Sequence, residues 1–383
     1  MQKMLKSLKN IFIIFLISFS LSPVLVSGAT IQSDKEEILK AKVLEIMSSG
    51  KTVLPGLDEE SDSQRIRARI YEEDGTENDV IFENDYLQLE EGEKFYARKI
   101  TRYDSGKIIY AVSDVNRMPY IIFFTALFVV LTVIFGGWQG IRGLLSLIGG
   151  LLLIFYILIP EIVAGSSPFL VSSVVASLII VVGSYVTHGF NRTTSSAVLG
   201  MIVTVLITGV LAYIAVHVAS LSGMDSDEAT YLALNTRGTL NLQGLLLSGI
   251  IIGLLGVLYD SAIGQAVSVE ELWRADPKLS KSYVFARSLR IGREHIGALV
   301  NTLAIAYVGV ALPLLVLFSF PNFGSSISLI NREMFASEII RTLIGSIGLI
   351  LAIPITTFIS VWMLHGRTFK GQTGHSHSHG HSH

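Results

Sequence analysis

The residue of this sequence best suited to chemistry is an aspartate inside an aliphatic stretch. This residue, Asp260, belongs to a series with four glycines, Gly249, Gly253, Gly256 and Gly264. Successive members of the series lie three or four positions apart. Residues spaced in this way occupy one face of a helix. A carboxylate in a membrane helix could bind a cation or a proton, whereas glycines let helices pack closely. Transport and helix packing both stay open from this stretch alone.

Further polar residues accompany the aspartate. Glu270 and Glu271 follow it along the chain, and the next apolar stretch begins at Glu294 and contains Asn301 and Thr302. Asn and Thr side chains hydrogen-bond between membrane helices, since lipid offers them no partner. We expect the aspartate and these groups to form a polar site at the inner ends of two adjacent antiparallel spans.

Histidines are concentrated at the end of the chain. Five imidazoles recur at two-residue spacing: His375, His377, His379, His381 and His383. Alternate side chains of an extended segment point the same way, so several could reach one Zn²⁺, Ni²⁺ or Co²⁺ ion. Weak metal binding and a flexible solubilising tail are both open, and we expect no cofactor to be required.

Composition indicates a polytopic membrane protein whose main partner is the lipid bilayer. The 383 residues are 50% hydrophobic, with a mean hydropathy of +0.57. Repeated apolar runs reach the roughly 20 residues that cross a hydrocarbon core about 30 Å thick. The net charge of −2 gives no case for nucleic-acid binding. The absence of cysteine excludes disulfides and thiolate chemistry.

The N-terminal residues 1–29 have the pattern of an export signal. Lys3, Lys6 and Lys9 precede an apolar run from Ile11 to Val26, and small residues follow at Ser27–Ala29. Both a cleaved signal peptide and an uncleaved signal-anchor fit this pattern. Either would place the next segment outside the cytoplasm.

Residues 30–117 predict a small extracytoplasmic β-rich domain. Residues 66–70 alternate apolar and basic side chains, as a half-buried strand would. Turn signals at Asp74–Gly75 and Ser105–Gly106 separate further β-rich runs. We predict five or six strands, and Ser33–Ser48 could instead begin as a short helix.

Residues 118–366 predict an all-α multi-pass domain of about seven transmembrane helices. The apolar runs lie near 119–136, 144–164, 168–186, 196–221, 242–262, 296–319 and 338–364. A basic loop at 270–294 and a tail at 367–383 then fall on the cytoplasmic side by the positive-inside rule. The loop before 242 is expected to carry a short outer helix at Asp227–Leu234.

Four segments of the chain resemble the YibE/F-like family of bacterial multi-pass membrane proteins. They are GGWQGIRGLLSL at 136–147, THGFNRTTSSAVLG at 187–200, GLLGVLYDSAIGQAVSVEEL at 253–272 and GREHIGALVNTLAIAYVG at 292–309. The resemblance implies a β-rich outer domain before the membrane domain and, at most, a presumed transport role.

Three classes of function can be compared from these features. A secondary transporter or permease for a small solute or ion would use the aspartate face. A non-transporting sensor or scaffold would use the same glycines to bind a second copy or a membrane-protein partner. We expect no enzyme, because the sequence contains neither an HExxH zinc motif nor a GxSxG elbow. The substrate itself has no signature.

Overall fold

The computed structural model describes residues 34–53, 60–85, 87–320 and 325–366. The predicted signal segment 1–29 and the predicted tail 367–383, with the five histidines expected to bind metal, lie outside the described residues. The chain divides into two compact units, Met1–Leu127 and Phe128–His383.

A five-stranded antiparallel sheet forms the first unit. Its strands in chain order are β1 Lys35–Val53, β2 Glu60–Tyr71, β3 Glu77–Asn84, β4 Lys94–Thr101 and β5 Ile108–Val115. The spatial order is β3-β2-β1-β4-β5, and the long β1 pairs with β4 through its first half and with β2 through its second. The two outer strands approach each other, since the rings of Phe82 and Tyr110 lie 6.5 Å apart. This connectivity is that of a five-stranded Greek-key barrel of the OB type.

Alternation of side chains explains why these residues form strands. Ile66, Ala68 and Ile70 of β2 are all fully buried, whereas the arginines between them face outward. Leu39, Ala41 and Val43 of β1 alternate in the same way. The small β domain is therefore confirmed, and the possible helix at 33–48 is wrong because period-two burial requires a strand.

An ion pair closes one end of this barrel. The ammonium of Lys99 lies 2.8 Å from both carboxylate oxygens of Glu72 and 3.8 Å from Glu37. Both Lys99 and Glu72 are mostly buried, and the hydrogen bond to Glu72 raises the pKa of Lys99 above its ordinary value. The pair thus lies at one end of an interior that is mainly apolar and also contains the buried amides of Gln64 and Asn84.

The second unit is helical. Its helices, counted from the one that begins in the first unit, are α1 Met118–Leu153, α2 Ile159–Val163, α3 Pro168–His188, α4 Arg192–Val218, α5 Asp227–Asn235, α6 Leu242–Gly253, α7 Leu255–Ala275, α8 Lys281–Val310, α9 Leu312–Val316, α10 Ser326–Ile330 and α11 Glu333–Leu364. The short helix predicted at 227–234 is α5. Within the described residues, five continuous helical segments are long and apolar enough to cross a membrane, or six if α8 and the bent segment after it form one span.

The predicted spans 119–136 and 144–164 lie in one helical segment of 46 residues, Met118–Val163. Gly137 interrupts it with φ 53° and ψ −136°, a conformation that favours glycine. The bend is sharp, because a Cβ at Gly140 would collide with the carbonyl of Thr132. The count of seven spans therefore depends on whether the parts before and after Gly137 each cross the bilayer, and it stays a prediction.

Small and hydroxyl-bearing residues fill the contact between α4 and α11. The hydroxyls of Ser196 and Ser360 lie 2.9 Å apart, and both residues are fully buried. Gly200 of α4 lies so close to Thr356 of α11 that a Cβ there would be 2.9 Å from the Thr356 Cα. This close packing is the usual means of helix association in lipid.

Candidate functional site

A charged cluster lies near the start of α11. The guanidinium of Arg341 is 3.3 Å from the carboxylate of Glu338, one turn earlier, and 3.6 Å from that of Asp225, which precedes α5. Arg341, Asp225 and Glu338 are 25%, 14% and 28% exposed, so all three are largely shielded. Arg341 is eight residues beyond Glu333, or about 12 Å along the helix.

The loop that carries Asp225 is fixed by the first residue of α11. The carboxylate of Glu333 accepts hydrogen bonds from the hydroxyl of Ser222 (2.8 Å) and the backbone N–H of Gly223 (2.6 Å). Gly223 has φ 84° and lies against the backbone of Leu242, where a Cβ would collide. A glycine is therefore required at this position to bring the aspartate over the arginine.

Two cavities meet at this cluster. One, of about 520 Å³, is lined mainly by aliphatic residues of α2 and α6, such as Ile162 and Leu246. The other, of about 800 Å³, has five carboxylate residues in its wall but only two arginines: Asp225, Asp227, Glu228, Glu333, Glu338, Arg332 and Arg341. Arg341 and Asp225 belong to both walls, so their ion pair lies between an apolar and an acidic chamber.

The glycine face predicted from the sequence begins at this cluster. A Cβ on Gly249 would lie 3.8 Å from a terminal nitrogen of Arg341, and one on Gly253 would lie 3.0 Å from the hydroxyl of Tyr307. Both glycines thus leave room for side chains of neighbouring helices. The Nε atom of Arg341 is buried without a hydrogen-bond partner among the described residues.

The rest of the predicted face is open. Gly256 and Gly264 are exposed, and a Cβ added to either would have no heavy atom within 4 Å. Asp260, between them, is exposed as well. It forms neither a hydrogen bond nor an ion pair with any described residue. Asp260 lies 18 residues beyond Leu242, about 27 Å along the combined helix, near the far boundary of a 30 Å core.

The predicted partners of Asp260 do not form a bonded cluster with it. Glu294, Asn301 and Thr302 are exposed residues of α8, and the hydroxyl of Thr302 donates to the carbonyl of Ala298 in the same helix (2.9 Å). None of the three forms a hydrogen bond to Asp260 within the described ranges.

Glu270 and Glu271 belong to a separate group at the other end of the bundle. Glu270 accepts hydrogen bonds from Arg274 (2.6 Å) and from the hydroxyl of Thr193 on α4, and it is only 16% exposed. Glu271 is exposed and lies 3.6 Å from the same arginine. The predicted loop 270–294 consists mostly of the end of α7 and the start of α8, joined by a short connection.

Sequence reasoning missed the Arg341 cluster. Asp225 and Glu333 lie in or beside loops, where a charge is unremarkable, and Glu338 and Arg341 resemble an ordinary i,i+3 pair. One signal was available: an arginine eight residues inside an apolar helix is rare and marks a functional candidate. Among the described residues, no group of three or more His, Asp or Glu side chains is placed to hold a metal ion.

A known protein family matches most of the helical unit. The model of the YibE/F-like protein family matches residues 124–366, well over half of the chain. Neither a curated protein nor a solved structure matches the chain. The match contains the glycine face, Asp260 and Arg341. The chain belongs to the YibE/F-like protein family.

Proposed function

We propose that this protein is a secondary transporter or permease for a small cation or cationic solute. The observation that carries the proposal is the junction of two cavities at Arg341, on the face of α6 and α7 that leads to Asp260. A partly buried ion pair of this kind could open and close, and charges within a membrane helix bundle are functional candidates. The excess of carboxylates in the larger cavity favours a positive solute.

The proposed path follows the glycine face. A solute would enter the acidic cavity, pass the pair of Arg341 and Asp225, and move along Gly249, Gly253 and Gly256 towards Asp260. Helices α6 and α7 carry this face as one continuous segment, Leu242–Ala275. Glu294, Asn301 and Thr302 would line the far mouth of the path. The proposal gives this chain no catalytic step and needs no cofactor.

The same proposal orients the protein. The β domain and the Arg341 cluster would be outside, and α7–α8 with the C-terminal tail would be in the cytoplasm. Arg142, Arg192 and the basic residues of 274–293 support this orientation by the positive-inside rule.

Flux measurements test the proposal. The purified chain is reconstituted in liposomes, and uptake of protons, Na⁺, K⁺ and divalent cations is followed under imposed gradients. Asp225→Asn should slow flux about tenfold, because it removes the counter-charge 3.6 Å from the partly buried guanidinium of Arg341, and a tenfold change corresponds to about 1.4 kcal/mol. Asp260→Asn tests the far end of the path, and Asp276→Asn, an exposed residue between α7 and α8, is the matched control.

The outcomes separate the parts of the proposal. Flux in the native chain that both Asp225→Asn and Asp260→Asn abolish, with Asp276→Asn unchanged, supports the path. If Asp260→Asn transports normally, Asp260 has no part in the mechanism. If the native chain shows no flux under any of the imposed gradients, the proposal that it is a transporter is wrong.

The alternative is a membrane sensor or scaffold without transport. The open face at Gly256 and Gly264 favours it, because glycines on an uncovered helix face can accept a second helix. Gly264→Leu should then break a homodimer that cross-linking detects in the native chain, with Gly297→Leu on α8 as the control. A monomeric native protein would count against this alternative.

A further inference from the structure

The outer face of the β sheet carries a compact group of lysines and tyrosines. Lys42 of β1 lies directly opposite Lys94 of β4, and Lys40 lies between Tyr96 of β4 and Tyr71 of β2. Opposite residues of antiparallel strands point to the same side, and residues two apart along a strand do so too. These five residues, which we call the lysine–tyrosine face, therefore occupy one surface.

The lysines of this face lack counter-charges. Lys42 has Arg69 of β2 on its other side, but that arginine is occupied by Asp79 (2.8 Å) and Glu77 (3.2 Å). No described carboxylate lies within 4.0 Å of the ammonium group of Lys40, Lys42 or Lys94. Like charges directly opposite each other destabilise a sheet. An anion bound between these lysines would reduce the repulsion between their charges.

Protection of a sheet edge does not account for these lysines. Charged residues often block the edges of sheets from pairing with other chains. Here the edge strands are β3 and β5, whereas the lysines are on β1 and β4, which both have neighbours on each side. The charge is placed on the middle of the surface, where a partner would contact it.

The face begins beside the point where the chain enters its first apolar helix. The backbone N–H of Asn116 donates to the carbonyl of Lys94 (3.1 Å), and α1 starts only two residues later, at Met118. The first turns of α1 expose large apolar side chains, including Phe123 and Phe124. Lys94 is therefore close to the level at which the chain passes into lipid.

We propose that the lysine–tyrosine face binds the phosphate groups of anionic phospholipids at the surface of the bilayer. Lysines near a membrane are attracted to anionic headgroups, and tyrosines prefer the interface between lipid and water. Residues 30–117 as a whole contain 20 acidic and 13 basic residues, so the remainder of the domain is repelled by the same surface. That asymmetry gives the domain one favoured side, which would hold it against the membrane.

Lysine acylation in lipid nanodiscs tests this proposal on the full chain. Discs are prepared from phosphatidylcholine with and without phosphatidylglycerol, and the rate of acylation at each lysine is read by mass spectrometry. Phosphatidylglycerol should slow acylation of Lys42 and Lys94 roughly fivefold, and high salt should remove the effect. Lys107, in the turn at the other end of β4, should react alike in both discs.

Variants distinguish specific contact from general attraction. Lys42→Gln with Lys94→Gln should remove the lipid-dependent protection of Lys40, whereas Arg102→Gln with Lys107→Gln, an equal loss of charge in the β4–β5 turn, should preserve it. Equal acylation of Lys42 and Lys94 in both kinds of disc would overturn the proposal. A second result would also overturn it: added polyphosphate protects the lysines in phosphatidylcholine discs, but phosphatidylglycerol does not protect them. That result would assign the face to a soluble polyanion.

Discussion

A single methyl group at Gly200 should weaken the contact between α4 and α11, where the glycine lies against the backbone of Thr356. In Gly200→Ala the new Cβ would meet the Cα and Cβ of Thr356 at 2.9 Å and collide with its hydroxyl oxygen. The Cα of Thr356 is a backbone atom and its Cβ is bonded to the backbone, so a different rotamer of Thr356 cannot remove these two contacts. The helices must move apart or bend.

The size of the effect follows from two opposing terms. Overpacking a well-packed interior costs about 1–3 kcal/mol. Alanine gains about 1 kcal/mol over glycine within a helix. We therefore expect Gly200→Ala to be less stable than the native chain by roughly 1 kcal/mol, the difference between the two terms.

A second glycine isolates the packing term. A Cβ added to Gly297 of α8 would have no heavy atom within 4 Å, so Gly297→Ala carries the helix-propensity gain without the collision. The two variants should differ by about 2 kcal/mol, or roughly 4–8 °C in Tm for a unit of this size. Thermal unfolding of the purified protein in one detergent measures this difference. Equal Tm values for the two variants would show that α4 and α11 do not cross closely at Gly200.

Four further predictions concern other local features. Gly137→Ala should cost about 1–3 kcal/mol because φ 53° with ψ −136° strains any other residue, and the Tm relative to Gly297→Ala measures it. Lys99→Met should destabilise the β domain by about 1–2 kcal/mol, since it leaves Glu72 largely buried without its cation, and amide exchange of β4 reports the loss. The raised pKa of Lys99 means that its stabilisation is complete below the ordinary lysine pKa and declines as the pH rises through the higher folded value. The Tm of the β domain in the native chain should therefore fall above about pH 10.5, and that of Lys99→Met should not show this step. The hydrogen bond from Arg69 lowers the pKa of Asp79, so its stabilisation is present above the ordinary pKa and should be lost as the pH falls below about 4, with Asp79→Asn insensitive to that change.

The β domain could be predicted because its signals are local. The alternation at Ile66–Ile70 and the glycines of the two turns each determine one piece of the structure within a few residues. Gly75 and Gly106 indeed have φ 85° and 65°. The strand order could not be predicted, since the pairing of β1 with β4 joins residues about 60 positions apart and no local pattern encodes it.

The helical unit was predicted in outline only. Apolar runs determine where helices lie, but they do not show that Gly137 bends one helical segment or that Pro313 follows a 72° bend. The face of Gly249 to Gly264 lies on α6 and α7, and its role in helix packing or transport stays a prediction. Its surroundings depend on which helices approach it, and that information is distributed over α8 and α11.

The predicted face and the cluster that sequence reasoning missed are parts of one surface. The face is exposed throughout, but Gly249 lies beside Arg341 and Gly253 beside Tyr307, whereas a Cβ added to Gly256 or Gly264 would have no heavy atom within 4 Å. The open half from Gly256 to Gly264 contains Asp260, and a polar group there needs water, a solute or a second helix because lipid offers it no partner. Transport predicts water and solute along the open half, and assembly predicts a helix, so the same Asp260→Asn variant that tests flux also tests which of these covers it.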